Sequence, residues 1–122
     1  MGIDYTFEHK DDLLIVRTTG KDVTFKEVKE YGMAILGTGL STGSHKVLLD
    51  ETDLQFSLET YDNFKSASYV SESIPHNVKI AIVCRPENYE MDIFRETVAV
   101  NRGLTVKVFT MRKNAEDWLL NP

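Results

Sequence analysis

In Val78-Lys79-Ile80-Ala81-Ile82-Val83, the large apolar residues Val78, Ile80 and Ile82 point one way and Lys79 points the other. Leu104-Thr105-Val106-Lys107-Val108-Phe109 repeats the pattern, with Leu104, Val106 and Val108 opposed to Thr105 and Lys107. Side chains alternate across a strand, so a parallel strand covered on both faces reads as a continuous apolar run. These two do not. They predict a sheet with helices mainly on one face and a half-open opposite face.

The flanking segments supply the rest of the order. Tyr5 to Glu8 reads as a short alternating strand, and Leu13 to Thr18 as a second, apolar and β-branched one. The polar turn between them implies an antiparallel hairpin. Thr24-Phe25-Lys26-Glu27 fits a capping box, and Phe25, Val28, Gly32, Ile35 and Leu36 form the apolar face of the helix that follows. Gly37 to Ser44 reads as a glycine-rich loop, and Lys46 to Leu49 as a third strand. Ser57 is a plausible cap for a second helix, which Pro75 ends. Pro86 suits the first turn of a third helix, with Gly103 at its C-terminal cap. Asn114 is expected to cap a last short helix carrying Trp118 and Leu119. The prediction is one α/β domain over residues 1–122 in the order ββαβαβαβα. Strands alternating with helices imply parallel pairing through right-handed crossovers. Crossovers that all step in one direction generate a right-handed βα superhelix.

Composition narrows the function classes. The 122 residues carry 14 Lys and Arg against 19 Asp and Glu, a net charge of −5. A mildly acidic domain is a poor nucleic-acid binder, because phosphate binding needs a basic surface. No apolar run approaches the roughly 18 residues of a membrane span. The start of the chain has no basic stretch followed by an apolar one, so the expected location is the cytoplasm. The single cysteine, Cys84, excludes an internal disulfide and any cysteine-based zinc cluster.

Several strand and turn patterns resemble the SpoIIAA-like group, which overlaps the STAS domains of anti-sigma-factor antagonists and the CRAL-TRIO-like lipid-binding proteins. The carriers are Asp12-Leu13-Leu14-Ile15-Val16-Arg17-Thr18-Thr19-Gly20, Lys46-Val47-Leu48-Leu49-Asp50, Asp53-Leu54-Gln55-Phe56-Ser57-Leu58, the Val78–Val83 strand, and the Asn101-Arg102-Gly103-Leu104 bend. The resemblance spans roughly residues 4–120. It implies a five-stranded, mostly parallel sheet with an antiparallel first strand, four helices, and no known catalysis. Antagonist STAS domains carry Asp-Ser-Ser-Gly at the start of the second helix, where a kinase phosphorylates the second serine. Counted without gaps from Asp50, those positions hold Leu58-Glu59-Thr60-Tyr61. The motif is absent, although Thr60 occupies the phosphoacceptor position with Glu59 beside it. The regulatory and partner-facing residues that the resemblance implies are Asp50, Asp53, Ser57, Glu59 and Thr60. A plainer account of Ser57, Glu59 and Thr60 is a helix N-terminus, where hydroxyls cap amides and carboxylates favour the dipole.

Other chemistry-bearing residues assemble into no motif. Gly37-Thr38-Gly39-Leu40-Ser41-Thr42-Gly43 fits neither the dinucleotide fingerprint nor the P-loop, and it follows a helix rather than a strand. Asp50 resembles a receiver phosphoacceptor, but Thr18-Thr19-Gly20 stands where the acidic pair for magnesium would be. Asp50, Glu51 and Asp53 therefore read as a solvated turn. His9, His45 and His76 lack ligand spacing, so no metal or other cofactor is expected. Cys84 shares the parity of Ile80 and Ile82 and is expected to be buried and inert.

The third helix carries an unusually wide apolar arc. Met91, Phe94, Val98 and Asn101 form one stripe, expected to face the sheet, and Tyr89, Ile93 and Val100 a second. The second stripe needs a neighbour. Packing against the second helix is one answer; a groove for a small apolar ligand, lined by Tyr61, Phe64, Ser68, Tyr89, Ile93 and Val100, is the other. Leu13, Ile15, Leu48, Ala81, Val83 and Phe109 share the half-open sheet face, which could serve a homodimer or be covered locally by the termini or by the first hairpin. The leading expectation is a non-enzymatic regulatory module that docks a protein partner. The alternative is a carrier or sensor for a small apolar ligand between the second and third helices.

Overall fold

A computed structural model describes residues 2–22, 24–56 and 60–121; the side chains of residues 22, 56, 60–64 and 66 lie outside that description. Among the described residues, five strands form one sheet in the order β1-β2-β3-β4-β5. The strands are β1 (Ile3–Lys10), β2 (Leu13–Asp22), β3 (Lys46–Phe56), β4 (Lys79–Val83) and β5 (Thr105–Phe109). The first pair is antiparallel and the other three are parallel. The helices are α1 (Phe25–Thr42), α2 (Thr60–Ser73), α3 (Tyr89–Asn101) and α4 (Arg112–Leu120), with a 3-10 turn at Pro86–Asn88. Every βαβ step moves one strand in the same direction, as right-handed crossovers on one face require.

The core follows the alternation. Leu14, Val16, Val47, Leu49, Ile80, Ile82 and Val108 form the main cluster, with Tyr31 and Ile35 of α1 and Ile93 of α3 packed against it. On the opposite face, α4 lays Ala115 and Leu119 over Leu48, Ala81 and Val83, with Leu13, Ile15, Phe109 and Trp118 alongside. The apolar patch offered above as a homodimer surface is thus covered within the chain by α4.

The hairpin turns on Asp11-Asp12, with Lys10 paired to Leu13 and Asp11 in the left-handed region at φ 55°. A short Asp side chain tolerates that conformation. Thr24 caps α1 as expected, accepting the Glu27 amide at 3.1 Å.

The expected glycine-rich loop is helical instead. Each glycine costs a helix about 1 kcal/mol relative to alanine. Here, however, Leu36 and Leu40 continue the apolar period, and Thr42 Oγ1 donates back to the Thr38 carbonyl at 2.9 Å. Gly43 then ends the helix at φ 68°, as a left-handed C-terminal glycine does. The start of α4 also differs. Met111 precedes its first residue, Arg112, and Asn114 sits exposed in the first turn rather than capping it. Arg112 holds Glu116 at 3.2 Å across that turn.

β3 runs seven residues past its expected end at Leu49, to Phe56, so Asp50, Glu51 and Asp53 are strand residues, not a solvated turn. Its register on β2 shifts between Arg17↔Asp50 and Thr19↔Asp53, which places one extra residue in β3. An extra residue reverses side-chain parity. Val47, Leu49 and Glu51 face α1–α3 before it, and Leu54, opposite Gly20, is buried after it. At the far edge of the sheet, Glu96 of α3 accepts the outward amide of Val108 at 2.7 Å.

Candidate functional site

The parity that sends Val47 and Leu49 into the core also sends Glu51 there, where it is 1% exposed. A buried carboxylate needs partners. Tyr31 of α1 donates its hydroxyl to Glu51 Oε2 at 2.7 Å, and Thr18 Oγ1 lies 2.7 Å from the same hydroxyl. From α3, Arg95 donates to Glu51 Oε1 at 3.1 Å and to Asp92 Oδ1 at 2.5 Å. Asp92 is wholly buried and lies beside Cys84 at the end of β4. The network therefore joins β2, β3, α1, α3 and the end of β4.

Electrostatics follow from that burial. Burial raises the Asp92 carboxyl to about 6, opposed by Arg95 and reinforced by Glu51. Burial, then Glu51, holds the Tyr31 phenol well above its usual value. Burial, then the Asp92 charge, pushes the Cys84 thiol up to about 12. Burial works against the Arg95 charge, but Glu51 and then Asp92 outweigh it and hold the guanidinium protonated. The set has no exposed nucleophile; Cys84 is buried, as its parity suggested.

The opposite parity builds an accessible rim at the carboxyl ends of the strands, the place where open α/β sheets bind ligands. Asp50 Oδ1 accepts the Thr52 hydroxyl at 2.6 Å and the Thr52 amide at 3.2 Å. Its Oδ2 faces Arg112 at 3.4 Å and Arg17 at 3.9 Å. Past Asp50, β4 no longer flanks β3. Side chains take over: Arg85 donates to the Thr52 carbonyl at 2.6 Å and Asn88 to the Leu54 carbonyl at 3.3 Å. Asp53 is exposed and sits 4.0 Å from Arg85. Of the partner-facing residues expected from sequence, Asp53 is exposed on this rim, whereas Asp50 is buried beneath it with its carboxylate held by Thr52, Arg112 and Arg17. Ser57 and Glu59 lie outside the described residues, and Thr60 opens α2 with its side chain outside the description.

Four of the six residues expected to line a ligand groove, Ser68, Tyr89, Ile93 and Val100, have described side chains. Ser68 and Glu72 of α2 are bridged to α3 by Arg102, which pairs with Glu72 at 3.4 Å and also bonds Ser68. Ile93 packs into the main core. Tyr89 lines a shallow depression beside Lys107 and Phe109, and Val100 is 49% exposed. The side chains of Tyr61 and Phe64 lie outside the described residues. A cavity of about 130 Å³ lies instead between α1, α2 and the sheet, and Ser68, Tyr89, Ile93 and Val100 do not line it. The buried face of α3 is Asp92, Val98 and Ala99, whereas Asn101 of the expected stripe is exposed.

Tyr31, Glu51, Asp92 and Arg95 were not anticipated from sequence. Signals existed for two of them. Glu51 continues the parity of Val47 and Leu49, and Tyr31 is three residues after Val28 and four before Ile35 on the same helix face. Among the described residues, no group of three or more His, Cys, Asp or Glu could hold a metal ion, and no helix is long and apolar enough to cross a membrane.

No family model matches the chain, and no curated protein is significantly similar to it. Among solved structures, an anti-sigma factor antagonist from Mycobacterium paratuberculosis superimposes with a TM-score of 0.69 at 12% identity, over 98% of this chain and 96% of that one. An uncharacterised DUF3478-family protein with a SpoIIAA-like fold, from Shewanella loihica PV-4, gives 0.57 at 23% identity, over 97% and 94%. The chain has the SpoIIAA-like fold, as its strand and turn patterns implied.

Proposed function

We propose that this chain is a non-enzymatic regulatory module of the cytoplasm that works by docking a protein partner. The observation that carries the reading is the full-length structural likeness to an anti-sigma factor antagonist. The placement of charge supports it: Glu51 is buried and engaged by Tyr31 and Arg95, while Asp53 is exposed on the rim beside Arg85. The docking surface in this reading is that rim, and the sequence adds Ser57, Glu59 and Thr60 as further partner-facing residues. A phosphorylation switch is not included, because Leu58-Glu59-Thr60-Tyr61 lacks the serine pair and the glycine. An apolar ligand between α2 and α3 has less support, since Arg102 spans the two helices with polar contacts.

Affinity capture from lysate of the source cells, using wild type and Asp53→Lys in parallel, tests the proposal. Asp53 is exposed, so the charge reversal leaves the core intact. A partner retained by wild type and lost by the variant is expected. Equal capture by both proteins moves the docking surface elsewhere, and capture of nothing above background removes the proposal.

A further inference from the structure

We infer that the space between α1 and α2 is a binding site for a small, neutral, apolar molecule of about the size of benzene. Folded interiors pack as densely as organic crystals and leave few voids larger than a water molecule. A cavity of about 130 Å³ between two helices and a sheet departs from that rule. The cause is visible in the lining, where Gly39, Ala67 and Ala99 place almost no side chain against the space. The rest of the wall is largely aliphatic, with Ile35 on α1, Val70 on α2, and Val47 and Ile80 from the sheet.

The polar groups at its edge set the ligand class. A water held there needs two to four polar partners. The Tyr31 hydroxyl is already bonded to Glu51 and Thr18, and Arg95 to Glu51 and Asp92. The Ser44 hydroxyl is 2.8 Å from that of Thr42, leaving Ser71 as a lone hydroxyl in the wall. An apolar cavity of comparable size, about 150 Å³, stays dry and takes up benzene. A carboxylated chain is disfavoured, because Arg95, the one cation among the described lining residues, is already matched by two buried carboxylates. Access is at the opposite end, where Leu40 lines the cavity while 65% exposed.

The inference does not depend on the docking proposal. Its test titrates benzene into the uniformly labelled protein and follows the methyl resonances of Ile35, Val47, Val70 and Ile80. Gly39→Leu is the blocking variant: a Cβ at Gly39 would meet Leu14 Cδ2 at 4.0 Å, an ordinary van der Waals distance, so the new side chain enters open space in the cavity. Gly37→Ala, where an added Cβ meets nothing within 4 Å, is the control on the same helix away from the cavity. Saturable methyl shifts are expected in wild type and Gly37→Ala, with loss of at least tenfold in affinity for Gly39→Leu. Absence of saturable shifts up to the solubility of benzene overturns the inference, as do equal shifts in Gly39→Leu. Should Gly39→Leu fail to fold, Ala67→Leu fills the same space from α2 and is read by the same criteria.

Discussion

The Tyr31 hydroxyl donates to Glu51 Oε2 at 2.7 Å, tying α1 to β3 through the centre of the molecule. Removing that hydroxyl strands a buried carboxylate oxygen and the Thr18 hydroxyl together. Leaving a buried polar group unsatisfied costs about 1–3 kcal/mol. Tyr31→Phe is therefore expected to lower stability by about that amount, measured as a reduced urea midpoint at unchanged m-value.

Asp92 gives the fold a pH dependence of unusual sign. Its carboxyl titrates at about 6 in the folded chain, against an ordinary 3.8. The folded state thus holds the proton more tightly than the unfolded one. The stability this contributes is present below about pH 4 and is lost as pH rises through about 6, a difference on the order of 3 kcal/mol. Urea unfolding at a series of pH values from 4 to 7 should show the loss as the difference between wild type and Asp92→Asn. A constant difference across that range would rule it out.

Cys84 is 1% exposed, and its thiol is raised to about 12. Thiolate is the reactive form. The native protein is expected to give no measurable reaction with a thiol-specific chromogenic disulfide at pH 8, and one equivalent after denaturation.

Gly32 of α1 packs directly against Val70 of α2. A Cβ built there would stand 2.6 Å from Val70 Cγ2 and 3.0 Å from its Cγ1. Gly32→Ala gains helix propensity but must move Val70, for a net loss of roughly 1–2 kcal/mol. Adding Val70→Ala should recover at least about 0.5 kcal/mol of the summed single losses, the coupling expected of residues in contact. Thermal unfolding of both single variants and the double variant measures it.

Gly37 has the opposite character, exposed in the same helix with open space around it. Gly37→Ala is expected to stabilise by about 0.5–1 kcal/mol, read as a rise in Tm of a few degrees. The substitution also tests the length of α1, since a glycine in a flexible loop would give no such gain.

That contrast shows what could be read from the sequence. The strands and their order were legible because alternation and turn residues act locally. From sequence, α1 ends at Gly37 because Gly37 and Gly39 carry a propensity penalty, yet the helix runs on to Thr42, with Ile35 packed on the core and Thr42 bonded back to the Thr38 carbonyl. β3 was cut short for a related reason. Asp50, Glu51 and Asp53 look like a turn when charge is equated with solvent, but Glu51 is neutralised inside by Arg95. The same equation hid the inner face of α3, where Arg95 pairs with Oδ1 of the buried Asp92 three residues before it and with Glu51 of β3. Hydropathy cannot rank a charge whose partner arrives from another element.

The Glu96 carboxylate on the Val108 amide has a consequence for how the molecule associates. A strand at the end of a sheet is a template on which another chain can continue the ladder. Here an incoming strand would have to displace a charge-assisted bond of 2.7 Å before forming one of its own at that amide. Self-assembly by sheet extension is thereby discouraged on the β5 side, and contacts with other molecules are directed toward side chains rather than exposed backbone.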